Sequence, residues 1–110
     1  MLTEKDYCDY ETCVAFEELG FPIRRIKVKG EEKHVPILLY EAQKWLREEK
    51  KIDVFVRAGY LGKNRVRHYF VEVFTSKNVI TLDNDREDYD SYEEALSEGI
   101  KEAVKILKQS

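Results

Sequence analysis

The sequence predicts a single α+β domain: an antiparallel sheet of three or four strands, helices packed mainly on one face, in the order α-β-α-β-β-β-α. Three observations predict it. Two stretches, 38–50 and 92–108, carry apolar residues at the spacing of one helical face. Two others, 51–61 and 65–76, alternate apolar and polar residues around a short turn containing glycine, as an antiparallel hairpin requires. The 110 residues suffice for one core but not two, and no linker, internal repeat or low-complexity segment marks a boundary.

In chain order, the first helix is expected over about 10–19. Asp9 is its N-cap, and Cys13, Phe16 and Leu19 give a narrow apolar stripe. Gly20 sits where a helix ends in a left-handed residue, and Phe21-Pro22 prevents continuation. "IRRIKVKGEEKHV" (23–35) alternates around Ile26 and Val28 and turns at Gly30-Glu31. That pattern fits a strand, a small hairpin or a long ordered loop. In the second helix, 38–50, Leu38, Leu39, Ala42, Trp45 and Leu46 share one face, and Glu41, Lys44, Arg47 and Glu48 take the other. "KIDVFVRAGYL" (51–61) and "RVRHYFVEVFTS" (65–76) flank Gly62-Lys63-Asn64, and "VITL" (79–82) makes a third strand. The last helix, 92–108, has a stripe of Ala95, Leu96, Ile100, Ala103, Val104 and Leu107.

Composition excludes several classes. With 43% hydrophobic and 37% charged residues the chain is globular and very soluble, and a net charge of −3 is too small to name a partner. The longest apolar run, "VPILLY" (35–40), is far shorter than a membrane span. "MLTEKDYCDY" has acids where a signal peptide needs a basic and then an apolar region, so a cytoplasmic location and no membrane partner are expected. Cys8 and Cys13 are five apart and would need two further ligands to hold zinc, with only His34 and His68 to supply them. Free thiols are expected, with no metal and no cofactor.

"DNDREDYDSYEEAL" (83–96) packs seven carboxylates into fourteen positions. Asp83, Asp85, Glu87, Tyr89, Ser91 and Glu94 follow a calcium-loop series, but Asp88 stands where the sharp turn wants glycine. A local explanation is complete: Ser91 caps the last helix, Glu94 reaches back to close a capping box, and the acids suit the positive end of the helix dipole.

"YETCVAFEELGF", "YEAQKWLREEKKI" and "DNDREDYDSYEEALSEGIKEAVKIL" together resemble a group of small uncharacterised proteins encoded by phages, prophages and mobile elements of gut bacteria. The likeness lies in an E-T…G-F helix (Glu11, Thr12, Gly20, Phe21), a Q-K-W-L-R-E helix (Gln43 to Glu48) and a D-Y-D-S-Y-E-E-A helix start (Asp88 to Ala95), over roughly half the chain. A proline followed by a capping threonine or serine is common in the group before the middle helix, whereas here Pro36 precedes Ile37-Leu38. The resemblance implies a small intracellular accessory protein that acts by binding, and it carries no catalytic residue.

No phosphate loop, paired metal-binding histidines or nucleophile elbow is visible. His68 has Glu72 four residues on, two pleat steps away, and reads as a surface histidine; neither cysteine has an identifiable base. The chain is therefore expected not to be an enzyme, an enzyme without recognisable motif being the last alternative. Two features outrank catalysis. From Val54 to Val71 there is no acid, and Arg57, Lys63, Arg65 and Arg67 interleave with Tyr60 and Tyr69, a pattern able to touch a nucleic-acid backbone and stack on bases. Against it, residues 83 to 98 hold eight acids and only Arg86. The second feature is the pleat: if Val54, Val56, Tyr69, Val71 and Val73 face the helices, Phe55, Phe70 and Phe74 face away, with Arg57 and His68 on the rim. The favoured function is a protein-interaction module using that face, self-associating or docking on a host protein; the first alternative is a nucleic-acid-binding accessory protein using hairpin 57–69.

Overall fold

Asp9 opens the first helix as its side chain accepts a hydrogen bond from the Thr12 N–H at 2.8 Å, and helix α1 runs Tyr10–Glu18. Gly20, at φ +104°, ends the turn after it. A computed structural model describes residues 2–61, 63–82 and 89–109. A short 3-10 turn, Glu4–Asp6, precedes α1, and the segment between them pairs with the chain ahead of the second helix at Tyr7 and Leu38.

The stretch after Pro22 is a hairpin, β1 (Arg25–Val28) and β2 (Glu31–His34), in register Val28 to Glu31. Its turn is Lys29-Gly30, both with positive φ (53° and 82°), one residue earlier than the expected Gly30-Glu31. Two left-handed central residues match the twist of flanking antiparallel strands, and glycine takes the second at no steric cost. Helix α2, Leu39–Glu49, starts at a leucine that has no side-chain acceptor. Glu41 substitutes: its carboxylate accepts from the Leu38 N–H at 3.3 Å.

Strands β3 (Asp53–Leu61), β4 (Val66–Phe74) and β5 (Val79–Leu82) form an antiparallel sheet in that order. Helix α3, Tyr92–Lys108, follows. Ser91 caps it, accepting from the Glu94 N–H at 3.1 Å, but no return bond from Ser91 N–H to the Glu94 carboxylate forms, so the expected capping box is half made. Asp83, Asp85, Glu87 and Asp88 of the calcium-like series lie outside the described residues.

The helices share one side of the sheet. Ile52, Val54, Val71 and Val73 are buried beneath Leu96, Gly99, Ile100 and Ala103 of α3, with Leu46 of α2 and Phe16 of α1 completing the core. Gly99 is the point of closest approach. A Cβ there would lie 2.5 Å from Val71 Cγ2 and 2.6 Å from Val54 Cγ1, so only glycine lets α3 settle this low. Among the described residues no helix is long and apolar enough to cross a membrane.

Candidate interaction face

Strand alternation and register together define the side of the sheet turned from the helices. Asp53 pairs with Phe74, Phe55 with Glu72, Arg57 with Phe70 and Gly59 with His68. Val79 and Thr81 of β5 extend the rows beside Phe74 and Glu72. Residues paired directly share a face, so Phe55, Phe70 and Phe74 lie together on the helix-free side. Phe55 is the most open, at 54% exposure, while Phe70 and Phe74 are half-buried. The cause is local. Phe55 and Phe74 meet edge to face, 5.9 Å between centroids, and the Phe70 ring edge lies beside Gly59, whose missing side chain leaves room for it. Val66 and Val79, each more than half exposed, lengthen the apolar strip. They follow from the same alternation as the phenylalanines, since each occupies the outward parity of its strand, yet neither stands out in a sequence dominated by aromatic signals.

Arg57 sits between the rings rather than at their margin. It forms an ion pair with Glu72 diagonally across β3 and β4, and Glu72 is only 19% exposed at its side chain. The pair crosses the strip between Phe55 and Phe70. His68 lies toward the turn end, half-buried, and its shielded Nδ1 has no partner among the described residues.

The basic residues expected to act together are divided. Arg57 belongs to the open side, whereas Tyr60, Arg67 and Tyr69 point to the helix side, where Tyr60 pairs with Arg67. The tyrosine faces also have occupants from the chain itself. The Arg65 guanidinium lies 5.4 Å from the Tyr60 centroid and that of Arg67 5.2 Å from Tyr69, and Tyr69 meets Tyr92 edge to face. Lys63 and Arg65 lie in the exposed turn. A base stacking on either tyrosine would first have to displace a cation.

The two cysteines and the clefts were the remaining candidates among the described residues. Both cysteines are free and buried, and the Cys13 thiol points to the Cys8 carbonyl at 3.7 Å. Burial, with smaller contributions from Cys13, Asp9 and Glu41, pushes the Cys8 thiol up to about 12, and burial also raises Cys13. Both are therefore protonated and poorly nucleophilic at neutral pH. Among the described residues no group of three or more His, Cys, Asp or Glu side chains is arranged to hold a metal ion. The cleft between the N-terminal segment and α3, about 250 Å³, is lined by Lys5, Tyr7, Asp9, Ser91, Glu94, Ser97 and Glu98, and the Ser91 hydroxyl is engaged as the cap of α3. Comparison with protein-family models, curated proteins and solved structures finds no match.

Proposed function

We propose that this chain is a non-enzymatic protein-interaction module, an accessory protein of a phage or mobile element, that binds another protein chain through the helix-free side of its sheet. One observation carries the reading: Phe55, Phe70 and Phe74, extended by Val66 and Val79, lie on a sheet face left uncovered by α1, α2 and α3. Apolar side chains in water contribute little to folding, and removing them from water against a second chain supplies roughly 25 cal/mol per Å² of apolar area before association costs. The Arg57–Glu72 pair lends the strip polarity, which favours specificity and orientation over raw affinity.

Phe55→Ser is the test, because Phe55 is the most exposed ring of the three. The variant should keep the melting temperature of the isolated chain within a few degrees while losing association, whether with itself in sedimentation or with a host protein retained on the immobilised wild-type chain. Association unaffected by Phe55→Ser and by Phe70→Ser would overturn the reading.

A further inference from the structure

The hydrogen-bonding groups of β3 point two ways, and the reciprocal bonds between Tyr69 and Tyr89 show which. Tyr69 N–H donates to the Tyr89 carbonyl at 3.0 Å and its own carbonyl accepts from Tyr89 N–H at 2.6 Å, so Tyr69 faces away from β3. By alternation Val66, His68, Phe70, Glu72 and Phe74 turn their backbone groups to β3, and their partners Asp53, Phe55, Arg57 and Gly59 answer them. Ile52, Val54, Val56, Ala58 and Tyr60 are left facing the free edge. Helix α2 closes only the start of that edge: Ile52 N–H donates to the Leu46 carbonyl at 3.1 Å, and the Gln43 amide donates to the Val54 carbonyl at 2.7 Å. Beyond Val54, the outward N–H and C=O groups of Val56, Ala58 and Tyr60 have no partner among the described residues.

Open edges in natural sheets are usually blunted by proline, lysine, a bulge or a covering loop. The stretch Val56 to Tyr60 contains no proline and no lysine, and its one charge, Arg57, is already paired with Glu72. Ala58 and Tyr60 are exposed on the helix side as well, so the helices leave room beside them.

We infer that two copies of this chain pair through the open half of β3, antiparallel about a two-fold axis at Ala58, to make one continuous six-stranded sheet. This pairing goes beyond the proposed use of the helix-free face, since it joins the edges of two copies and leaves both of those faces open. The register follows from what each alternative meets. An axis at Val56 needs the Val54 carbonyl that Gln43 already holds. One at Arg57 sets two arginines directly opposite, which is destabilising. One at Gly59 runs Val56 into the turn. With the axis at Ala58, Ala58 bonds its own copy, Val56 bonds Tyr60 of the second copy, and Arg57 stands opposite Gly59 of the second copy, so no two like charges oppose each other. The two helix-free faces then join into one.

Sedimentation equilibrium over a wide concentration range tests this with Ala58→Lys and Ala58→Glu, substitutions at an exposed position. Wild type should be dimeric, each variant should have the mass of one chain with unchanged circular dichroism, and an equimolar mixture of the two should regain the dimer, because Lys then stands opposite Glu on the axis. Ala58→Pro, which removes the N–H, should also be monomeric. A wild-type chain that stays monomeric, or a mixture that fails to pair, would overturn the edge pairing. Loss of the dimer in Phe55→Ser but not in the Ala58 variants would overturn it too while leaving the open face as the binding surface.

Discussion

The two hairpins are written in similar alternating patterns and have opposite fates. In β1–β2 every residue but His34 is exposed, including Ile26 at 52% and Val28 at 40%. Polar contacts hold it down: Arg25 donates to both oxygens of Glu17 at 2.6 Å, Arg24 pairs with Glu41 at 3.6 Å, and Tyr10 stacks on His34. In β3–β4, Val54, Val71 and Val73 are buried under α3. An isolated hairpin is marginal in water, and exposed ion pairs add only about 0–1 kcal/mol each. Alternation therefore specifies a strand, and a helix overhead decides whether that strand belongs to the core.

The largest test of this contrast is Gly99→Ala. Helix propensity alone favours alanine by about 1 kcal/mol, but the new Cβ would press on Val71 and Val54. We expect a net loss of about 1–3 kcal/mol in denaturant unfolding, as for other overpacked cores. A gain in stability would mean that α3 does not clamp the sheet. Next, Ser91→Ala should cost about 0.5–2 kcal/mol by the same measurement, through loss of the cap on that helix, and added calcium should leave the melting temperature unchanged. Ile26→Ala should fall within about 0.5 kcal/mol of wild type, as exposed substitutions do; a cost like that of a core residue would place β1–β2 in the core. Hydrogen exchange sharpens the point: amides of β1–β2 should exchange by local opening well before those of β3–β4, and faster still in Arg25→Ala.

The smallest effect concerns Asp9. Burial would raise its carboxyl, but bonds from Thr12 and Lys101 outweigh that and hold it below its usual value. A depressed carboxyl stabilises the fold above the unfolded-state value, and that contribution fades as pH falls through the folded-state value. Lys101 reaches Asp9 at 3.3 Å, but the pair is largely solvent-screened. In an acid titration of stability, Asp9→Asn should slightly flatten the low-pH limb; an unchanged limb would remove Asp9 from it.

Local signals were the legible ones. Asp9 and Ser91 identify helix starts because capping is a short-range geometric need, and the bounds of β5 and α3 fall where the pattern places them. Strand ends shifted where backbone conformation intervened. Arg65, at φ 49°, joins the turn instead of opening β4, and Lys51, at φ 58°, delays β3 to Asp53. The outward phenylalanines were legible because a pleat has period two. The basic set was grouped by nearness in sequence, and the same period separates Arg57 from Tyr60, Arg67 and Tyr69. The role of Gly99 was not legible, since a helical glycine carries no mark of what lies beneath it.

The two thiols make the protein its own chemical clock. Cys8 lies on the seam where the N-terminal segment meets the chain before α2, its N–H donating to the Ile37 carbonyl at 2.8 Å, and Cys13 lies inside α1. While that seam is shut, neither sulfur is accessible or ionised enough for an alkylating reagent. Once it opens, the thiols regain ordinary acidity and are trapped. Mass-tagging rates at Cys8 and Cys13 thus time two separate openings without any engineered label, and a faster tag on Cys8 would mean that the N-terminal strap peels off before α1 unwinds.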